Sequence, residues 1–331
     1  MTVNDLNDMQ RYLVEEEAEK WQDGLIGRRE FVHRVTLLVG GVAAGGVLLS
    51  LGCDVSAPEL TATVPVATAT QTISQAQPTA QAGSQGSASP YHVDENDPSI
   101  HVQTVDIPQN DASFKLTGYV ATPQNRATMG KPGGVLVIHE NRGLTDHIKD
   151  VVRRVAAAGY VGLGVDLLSR AGGTDAHPDE AERIGLLGQM PPDQFMTDLS
   201  SAVDYLKSRD DVNPDKLGVT GFCFGGGMTW RIVTKRPDLK AAVPFYGPSP
   251  PLEDVPNIKA AVLGIYGGED ARITGQVLAL EEALKKAGVT YEIKIYEGAD
   301  HAFHNDTGQR YKPDAAKDAW ARTLQWFANH M

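Results

Sequence analysis

From about residue 92 onward, short β-branched runs alternate with amphipathic stretches, and this alternation restricts the fold more than any other feature of the chain. Uninterrupted apolar runs such as "GVLVIH" suit strands that are covered on both faces, as in parallel sheets with helical crossovers. The first two runs, separated by "PQNDAS", suit an antiparallel pair. We therefore predict one α/β domain over 92–331, with a mostly parallel, doubly wound sheet and an antiparallel start.

The predicted elements follow from hydrophobic periodicity. The predicted strands are 102–107, 114–121, 134–139, 160–165, 216–220, 241–245, 260–266 and 291–296. The predicted helices are 146–158, 193–208, 226–236, 275–286 and 314–328. The chain carries 42 acidic against 30 basic residues, a net charge of −12, which argues against nucleic acid or an anionic membrane surface as a partner of this domain.

A cysteine between glycines follows the predicted strand 216–220. In "KLGVTGFCFGGGM", Gly221 and Gly225 flank Cys223, and a predicted helix begins directly afterwards. This G-x-C-x-G pattern has the form of a nucleophile elbow, a tight strand-to-helix turn that accepts only small neighbours and projects its central side chain. The positive end of the helix favours a thiolate. The alternative is a glycine-rich turn around a buried structural cysteine.

An acid and a histidine follow Cys223 in the chain order of an α/β-hydrolase triad, which favours the nucleophile. Asp270 comes after the strand 260–266, and His301 comes after the strand 291–296. His301 would relay the thiol proton, and Asp270 would orient its ring and stabilise the imidazolium.

Three neighbours compete for these two roles. Asp300 adjoins His301 and would have difficulty reaching its Nδ1, whereas Glu269 differs from Asp270 only by register. His304 is better placed to contact its own loop than the sulfur. A zinc site built on the two histidines lacks a third ligand at suitable spacing, so we expect no metal.

The stretch "VLVIHENRGLTDH" forms a second cluster of polar residues. Its H-E-x-x start lacks the second histidine of a metalloprotease site. The loop can instead bring Glu140 towards the thiol and offer the backbone amide of Asn141 as an oxyanion donor, with the amide of Phe224 as the other donor. The alternative for Glu140 is a loop acid that is paired with Arg142.

Five stretches together resemble the dienelactone hydrolase family of α/β-hydrolases over about residues 100–330. They are "VIHENRGL", "DLLSRAGG", "GVTGFCFGGGM", "IYGGEDARI" and "EGADHAFHND". The resemblance implies hydrolysis of small cyclic or activated esters without a metal or an organic cofactor. It also implies roles for four residues: the nucleophile Cys223, the base His301, its orienting acid Asp270, and Glu140 as the carboxylate beside the resting thiol.

The same resemblance bears on the substrate. Arg170, in "DLLSR", matches a family arginine that grips the carboxylate of the substrate. A second family arginine is replaced here by the "HND" of 304–306, which favours a less anionic lactone or ester. Tyr246 is a candidate for the wall of the substrate pocket, and a core position is its alternative.

The first 53 residues have features of an export signal. Arg28 and Arg29 precede the uncharged run 35–52, a pattern that resembles a twin-arginine signal. The run is just long enough to cross a hydrocarbon core of about 30 Å, so an uncleaved anchor is the alternative. "LSLGC" resembles a lipoprotein cleavage box that ends at Cys53, with Ser50 and Leu51 in reversed order. The acidic stretch "VEEEAEKW" ahead of the arginines is unusual for such a signal, although an amphipathic helix is compatible with it.

Residues 54–91 are rich in Ala, Thr, Ser, Gln and Pro, which predicts a disordered tether. We expect an exported hydrolase, in the periplasm or on the outer face of the cytoplasmic membrane, that contacts the membrane only through its N-terminal segment. The alternative is a membrane-tethered ligand-binding protein on the same fold with weak or no catalysis.

Overall fold

The computed structural model describes residues 1–52, 91–111, 113–124 and 130–331. Within these ranges, eight strands form one sheet in the order β1-β2-β4-β3-β5-β6-β7-β8. The strands are β1 (Ile100–Ile107), β2 (Leu116–Pro123), β3 (Gly134–Ile138), β4 (Val161–Val165), β5 (Leu217–Phe222), β6 (Ala241–Phe245), β7 (Ala261–Gly267) and β8 (Tyr291–Tyr296). All eight predicted strands are confirmed to within a few residues.

The pairing of the strands also confirms the predicted fold class. β2 is antiparallel to both β1 and β4, and the remaining neighbours are parallel. The central strands β3 and β5 are buried along their whole length. The carboxyl ends of the parallel strands β3, β5, β7 and β8 lie at one edge of the sheet, where ligands bind in open α/β sheets. The loops that carry the predicted site residues therefore meet there.

Helices cover both faces of the sheet. They are α1 (Asp8–Gln22), α2 (Arg28–Val39), α3 (Gly41–Ser50), α4 (Asp146–Ala157), α5 (Glu180–Gln189), α6 (Pro192–Ser208), α7 (Phe224–Val233), α8 (Ala271–Thr274), α9 (Val277–Ala287) and α10 (Pro313–His330). The five predicted helices are confirmed. α5 was not predicted, because Gly185 and Gly188 lower its helix propensity and few apolar residues mark its period.

The three N-terminal helices fold against the rest of the chain. α2 lies along α5, and α1 packs on both of them. At Gly185 an added Cβ would lie only 2.7 Å from the Cβ of Leu37, so the missing side chain is what lets α2 approach α5 this closely. The residues of α1 that are buried and apolar are Met9, Tyr12, Leu13, Val14 and Ala18.

The structure divides the run 35–52, for which one membrane-crossing helix is the alternative expectation. Gly40 has a φ of 83°, a left-handed conformation that ends α2, and α3 starts at the next residue. Among the described residues, none of the helices combines the length and the apolar character needed to cross a membrane. Cys53 and the predicted tether up to Pro90 lie outside the described residues.

Gly225 provides a test of the close packing around α7. A Cβ at this position would overlap the carbonyl oxygens of Ile138 and His139 at the end of β3. We expect Gly225→Ala to lower the free energy of unfolding by about 1–3 kcal/mol, as overpacked sites do. The control Gly45→Ala places its methyl group in open space inside α3 and should raise stability slightly, by up to about 1 kcal/mol, because alanine favours a helix more than glycine does. Urea unfolding followed by circular dichroism measures both, and equal effects would contradict the packing described.

Candidate active site

Cys223 occupies the turn between β5 and α7. Its backbone has a φ of 57°, a left-handed conformation that non-glycine residues rarely adopt and that is typical of a nucleophile elbow. The amide of Cys223 donates to the carbonyl of Phe245 at 3.1 Å, and its own carbonyl accepts from the amide of Gly227 at 3.1 Å. The neighbouring strand and the first turn of α7 therefore hold the strained residue in place.

Asp270 and His301 form a buried pair beside this turn. Asp270 follows β7 and accepts from Nδ1 of His301, which follows β8, at 2.6 Å. Its other oxygen accepts from the amide of Ile273 at 3.2 Å, as the N-cap of α8. Burial disfavours the imidazolium, but the charge of Asp270 and its hydrogen bond outweigh burial and raise the pKa of His301 to about 10.

The competing residues lie elsewhere. Glu269, one residue before the buried Asp270, is exposed to solvent. Asp300 accepts from the backbone amide of His301 at 2.6 Å rather than from its ring. His304 is buried among aromatic rings, with ring centroids 5.1 Å from those of Phe222 and Phe245. Of the three acids considered, Asp270 is the one on Nδ1.

The sulfur of Cys223 contacts two residues that precede the catalytic domain. Sγ donates to Oε2 of Glu16 at 3.2 Å and lies 3.3 Å from the hydroxyl of Tyr12, both on α1. Sγ, a Glu16 oxygen and a ring nitrogen of His301 all lie within 4.8 Å of one another. Nε2 of His301 is buried and has no hydrogen-bond partner of good geometry among the described residues. Nucleophile, base and orienting acid are thus together, while the thiol proton points to Glu16.

These contacts change the expected ionisation of the thiol. Burial, followed by the negative charge of Glu16, raises the pKa of Cys223, and the proximity of His301 opposes this shift. The prediction that the helix end would favour a thiolate is therefore wrong for this arrangement. Of the described residues, Glu16, Cys223 and His301 form the group whose ligand atoms are close enough to hold a metal ion. A metal there would occupy the predicted nucleophile and base.

Glu140 is near the thiol but has a different partner. Its carboxylate accepts from Nδ2 of Asn305 at 2.8 Å, and the carboxylate that is hydrogen-bonded to Sγ is Glu16. Arg142, the alternative partner of Glu140, lies 3.4 Å from Glu180 instead. Asn141 donates its side-chain amide to Glu16 at 2.9 Å. The oxyanion role of the backbone amides of Asn141 and Phe224 stays a prediction.

The structure corrects the assignment of Arg170. Its guanidinium donates to both carboxylate oxygens of Asp198, at 3.0 and 2.8 Å, and to Asp111 at 3.1 Å. The same group lies 4.1 Å from the ring centroid of Phe114. Arg170 does not line the cavity that contains Cys223. Arg170 therefore forms an ion pair that connects the loop after β4 to α6, and it does not face the place where a substrate would bind.

Tyr246 occupies a core position, which was the alternative to a place in the wall of the substrate pocket. Its side chain is fully buried, and its ring centroid lies 5.1 Å from that of His301. Tyr246 supports the imidazole from behind and does not line the cavity in front of the thiol.

A cavity of about 320 Å³ opens in front of Cys223 and His301. Four of its lining residues are cations that each lie against a carboxylate: Lys20 with Glu16, Arg34 with Glu17, Arg142 with Glu180, and Arg310 with Asp300. None of the four was predicted. Arg142 follows the predicted strand β3 within a short loop, so its position could have been anticipated, whereas Arg310 lies in a longer loop 14 residues after the end of β8. Lys20 and Arg34 could not have been anticipated, because nothing in their local pattern indicates where α1 and α2 dock.

Comparison with known proteins gives a consistent family. Residues 116–331 match the model of the dienelactone hydrolase family. A "Putative carboxymethylenebutenolidase" of Methylorubrum extorquens is 34% identical over 242 residues, which are 66% of this chain and 83% of that protein. One of Yersinia pestis is 34% identical over 70% of this chain and 89% of that protein.

A solved structure is also similar. It is described as a "Putative Dienelactone Hydrolase" from Klebsiella pneumoniae and superposes with a TM-score of 0.64 at 34% identity, over 70% of this chain and 99% of that chain.

The His301–Asp270 pair generates a prediction with a defined sign in pH. Because the folded state raises the pKa of His301 from 6.5 to about 10, the pair stabilises the fold fully below pH 6.5 and loses this stabilisation as the pH rises through about 10. Asp270→Asn should lower the pKa of His301 and destabilise the chain more at about pH 6 than above about pH 10. NMR titration of the ring and urea unfolding at both pH values measure this. Asp300→Asn, which leaves Nδ1 paired, is the control, and an unchanged His301 pKa in Asp270→Asn would contradict the assignment.

Proposed function

Since this chain belongs to the dienelactone hydrolase family, whose members are carboxymethylenebutenolidase-like hydrolases acting on ester bonds, we propose that it cleaves small lactones or esters with Cys223, His301 and Asp270. One observation supports these three residues above all. The 2.6 Å contact between Nδ1 of His301 and Asp270 leaves Nε2 as the ring nitrogen available to Cys223 at the strained turn. This is the arrangement that an acyl transfer needs.

In the first half of the reaction, the proton of the thiol is held on Nε2 of His301, whose raised pKa favours the imidazolium, and the Sγ thiolate attacks the carbonyl carbon of the ester. The electron pair of the carbonyl bond moves onto oxygen, and the backbone amides of Phe224 and Asn141 are the proposed donors to this oxyanion. When the carbonyl re-forms, the C–O bond breaks and the leaving oxygen takes the proton from His301. The product of this half is a thioester on Cys223.

In the second half, water adds to the thioester and gives its proton to His301. Collapse of this adduct breaks the C–S bond, returns the proton to sulfur and releases the carboxylic acid. Asp270 stays ionised throughout and stabilises the imidazolium in both halves. The sum is one ester or lactone plus one water giving one acid and one hydroxyl group, with no cofactor.

The cavity supports a small substrate of low charge. Its volume of about 320 Å³ is at the lower end for ligand pockets. The two cations that the catalytic domain contributes to its wall, Arg142 and Arg310, are each paired with a carboxylate, and Arg170 is committed to Asp198. A small lactone or ester fits this balance better than a dianion.

The nucleophile assignment predicts the loss of turnover on substitution. In the full chain, Cys223→Ala should reduce hydrolysis of a panel of aryl esters and enol-lactones to the background rate, because no thioester can form. Rapid quenching followed by mass spectrometry should place the acyl group on the peptide that contains Cys223. The control is Cys53→Ser, which should keep both signals. Turnover that survives Cys223→Ala would remove the assignment, and ligand binding without acylation would favour the binding-protein alternative.

We also propose that the chain is exported by a twin-arginine signal and held at the membrane through Cys53. Arg28 and Arg29 are the first two residues of α2 and are exposed while the N-terminal helices are docked, which supports access by an export receptor. We expect mass spectrometry of the mature protein to find a lipid-modified Cys53 at the N-terminus. Replacing both arginines by lysine should leave the precursor in the cytoplasm. An unprocessed N-terminus in the exported protein would contradict lipidation.

A further inference from the structure

We propose that α1 is an intramolecular inhibitor of the active site, in which the Glu16 carboxylate occupies the place of an acid product beside Cys223. The proposal rests on the proposed function, because it concerns the regulation of the same thiol. It begins from the contact between Glu16 and Sγ at 3.2 Å, which joins residues 207 positions apart.

The contacts of Glu16 are those expected of a bound product acid. One oxygen accepts from Sγ, and the other accepts from the side-chain amide of Asn141 at 2.9 Å. Hydrolysis of an ester leaves a carboxylate beside the sulfur that carried it, so Glu16 mimics the group that has to depart before the next cycle. Only 1% of Glu16 is exposed, and Cys223 is 3% exposed beneath it. A substrate carbonyl and the Glu16 carboxylate therefore compete for the same approach to Sγ.

The same contact diverts the thiol from its base. Sγ donates to Glu16 and touches the Tyr12 hydroxyl, while Nε2 of His301 has no well-aligned hydrogen-bond partner in the part of the chain that the structure describes. Burial opposes ionisation of Glu16, but the ammonium of Lys20 at 2.7 Å, then His301, lowers its pKa below the ordinary value. The resulting anion disfavours a second negative charge on the neighbouring sulfur.

Charge complementarity holds α1 over the site. Three acids of this segment face cations of the catalytic domain: Asp8 with Arg231 at 3.5 Å, Glu19 with Arg272 at 3.4 Å, and Asp23 with Arg310. Exposed ion pairs are individually weak, and burial of the apolar face of α1 supplies more of the stabilisation. The pairs nevertheless set the register that brings Glu16 to the thiol. The acidic stretch ahead of the twin arginines thereby acquires a role.

The surface on which the N-terminal helices pack is complementary to them in shape and charge. α2 approaches α5 at Gly185, and Arg34 of α2 pairs with Glu180 at the start of α5 at 3.0 Å. The family match begins at residue 116, so α1, α2 and α3 lie outside it. The inhibitor is thus an addition to the family domain. Removal of this segment, as in processing of the proposed signal, would uncover the thiol.

The test uses the full chain and measures Cys223 without any ester. The rate of alkylation by iodoacetamide is followed against pH and located by mass spectrometry on the peptide that contains Cys223. The charged or titratable groups that face this thiol are Tyr12, Glu16 and Lys20 from α1, Glu140 and Arg142 after β3, Tyr246 after β6, and His301 after β8.

Removing one carboxylate should release the thiol. In Glu16→Gln we expect alkylation near pH 7 to rise about 10-fold and the apparent pKa of Cys223 to fall by about 1, because a like charge has gone. The value of kcat/KM for aryl esters should rise by a similar factor. The matched control is Glu15→Gln, which removes the same charge one residue away on α1 and should leave both rates unchanged.

A second variant acts on the docking of the N-terminal helices and substitutes none of the residues that contact the sulfur. In Gly185→Ala the new methyl group meets Leu37 and forces α2 away from α5, so alkylation and turnover should again rise. If Glu16→Gln loosens α1 altogether, the thiol is uncovered and both rates rise as well. Unchanged rates in both variants, or a fall in turnover with slower alkylation in Glu16→Gln, would overturn the inhibitor.

The two proposals fail in different ways. Faster alkylation in both variants without ester turnover in any form of the chain would support the inhibitor and reject the hydrolase. Turnover that depends on Cys223 but does not respond to Glu16→Gln or Gly185→Ala would support the hydrolase and reject the inhibitor.

Discussion

The left-handed backbone of Cys223 is the constraint on which the rest of the site depends. A residue with a φ of 57° between a strand and a helix requires neighbours without side chains, because Gly221 and Gly225 lie against each other across the turn. Gly225 also lets the end of β3 touch the first turn of α7. The loop after β3 is therefore forced against the sulfur. The proximity of Glu140 and Asn141 to the nucleophile is a consequence of this contact and needs no further interaction.

A second constraint is the concentration of acids in a buried space. Each carboxylate near the sulfur has a separate partner: Asp270 has His301, Glu140 has Asn305, and Glu16 has Lys20 and Asn141. Buried charges are tolerated when they are paired in this way. Burial and the Glu16 carboxylate at 3.2 Å then raise the pKa of the thiol, and His301 opposes this shift. The resting state of the nucleophile follows from how the surrounding acids are neutralised.

Local patterns predicted the strands and the chain order of the triad, because period, glycine spacing and element order are properties of short windows. Arg170 was misassigned because its partner Asp198 lies on a helix 28 residues further along, which no short window contains. The contact between Glu16 and Cys223 spans 207 residues and depends on where α1 docks. The helix α5 was also missed, because its position depends on a distant part of the chain. Its glycines weaken the helical signal, yet Gly185 admits α2 through close packing that involves a separate part of the chain.

The proposed signal and the proposed inhibitor use the same residues, but they use different faces of them. The acids and apolar residues of α1 turn towards the catalytic domain, whereas Arg28 and Arg29 at the start of α2 are exposed. Gly40 splits the apolar run, so both of its halves can pack on the folded chain as short helices. A receptor that binds the arginines and draws this segment away must also withdraw Glu16 from the sulfur, because α1 and α2 are joined by only a short turn and pack on each other. On these proposals, export and activation of the thiol are one event, and the full chain turns over more slowly while α1 is docked.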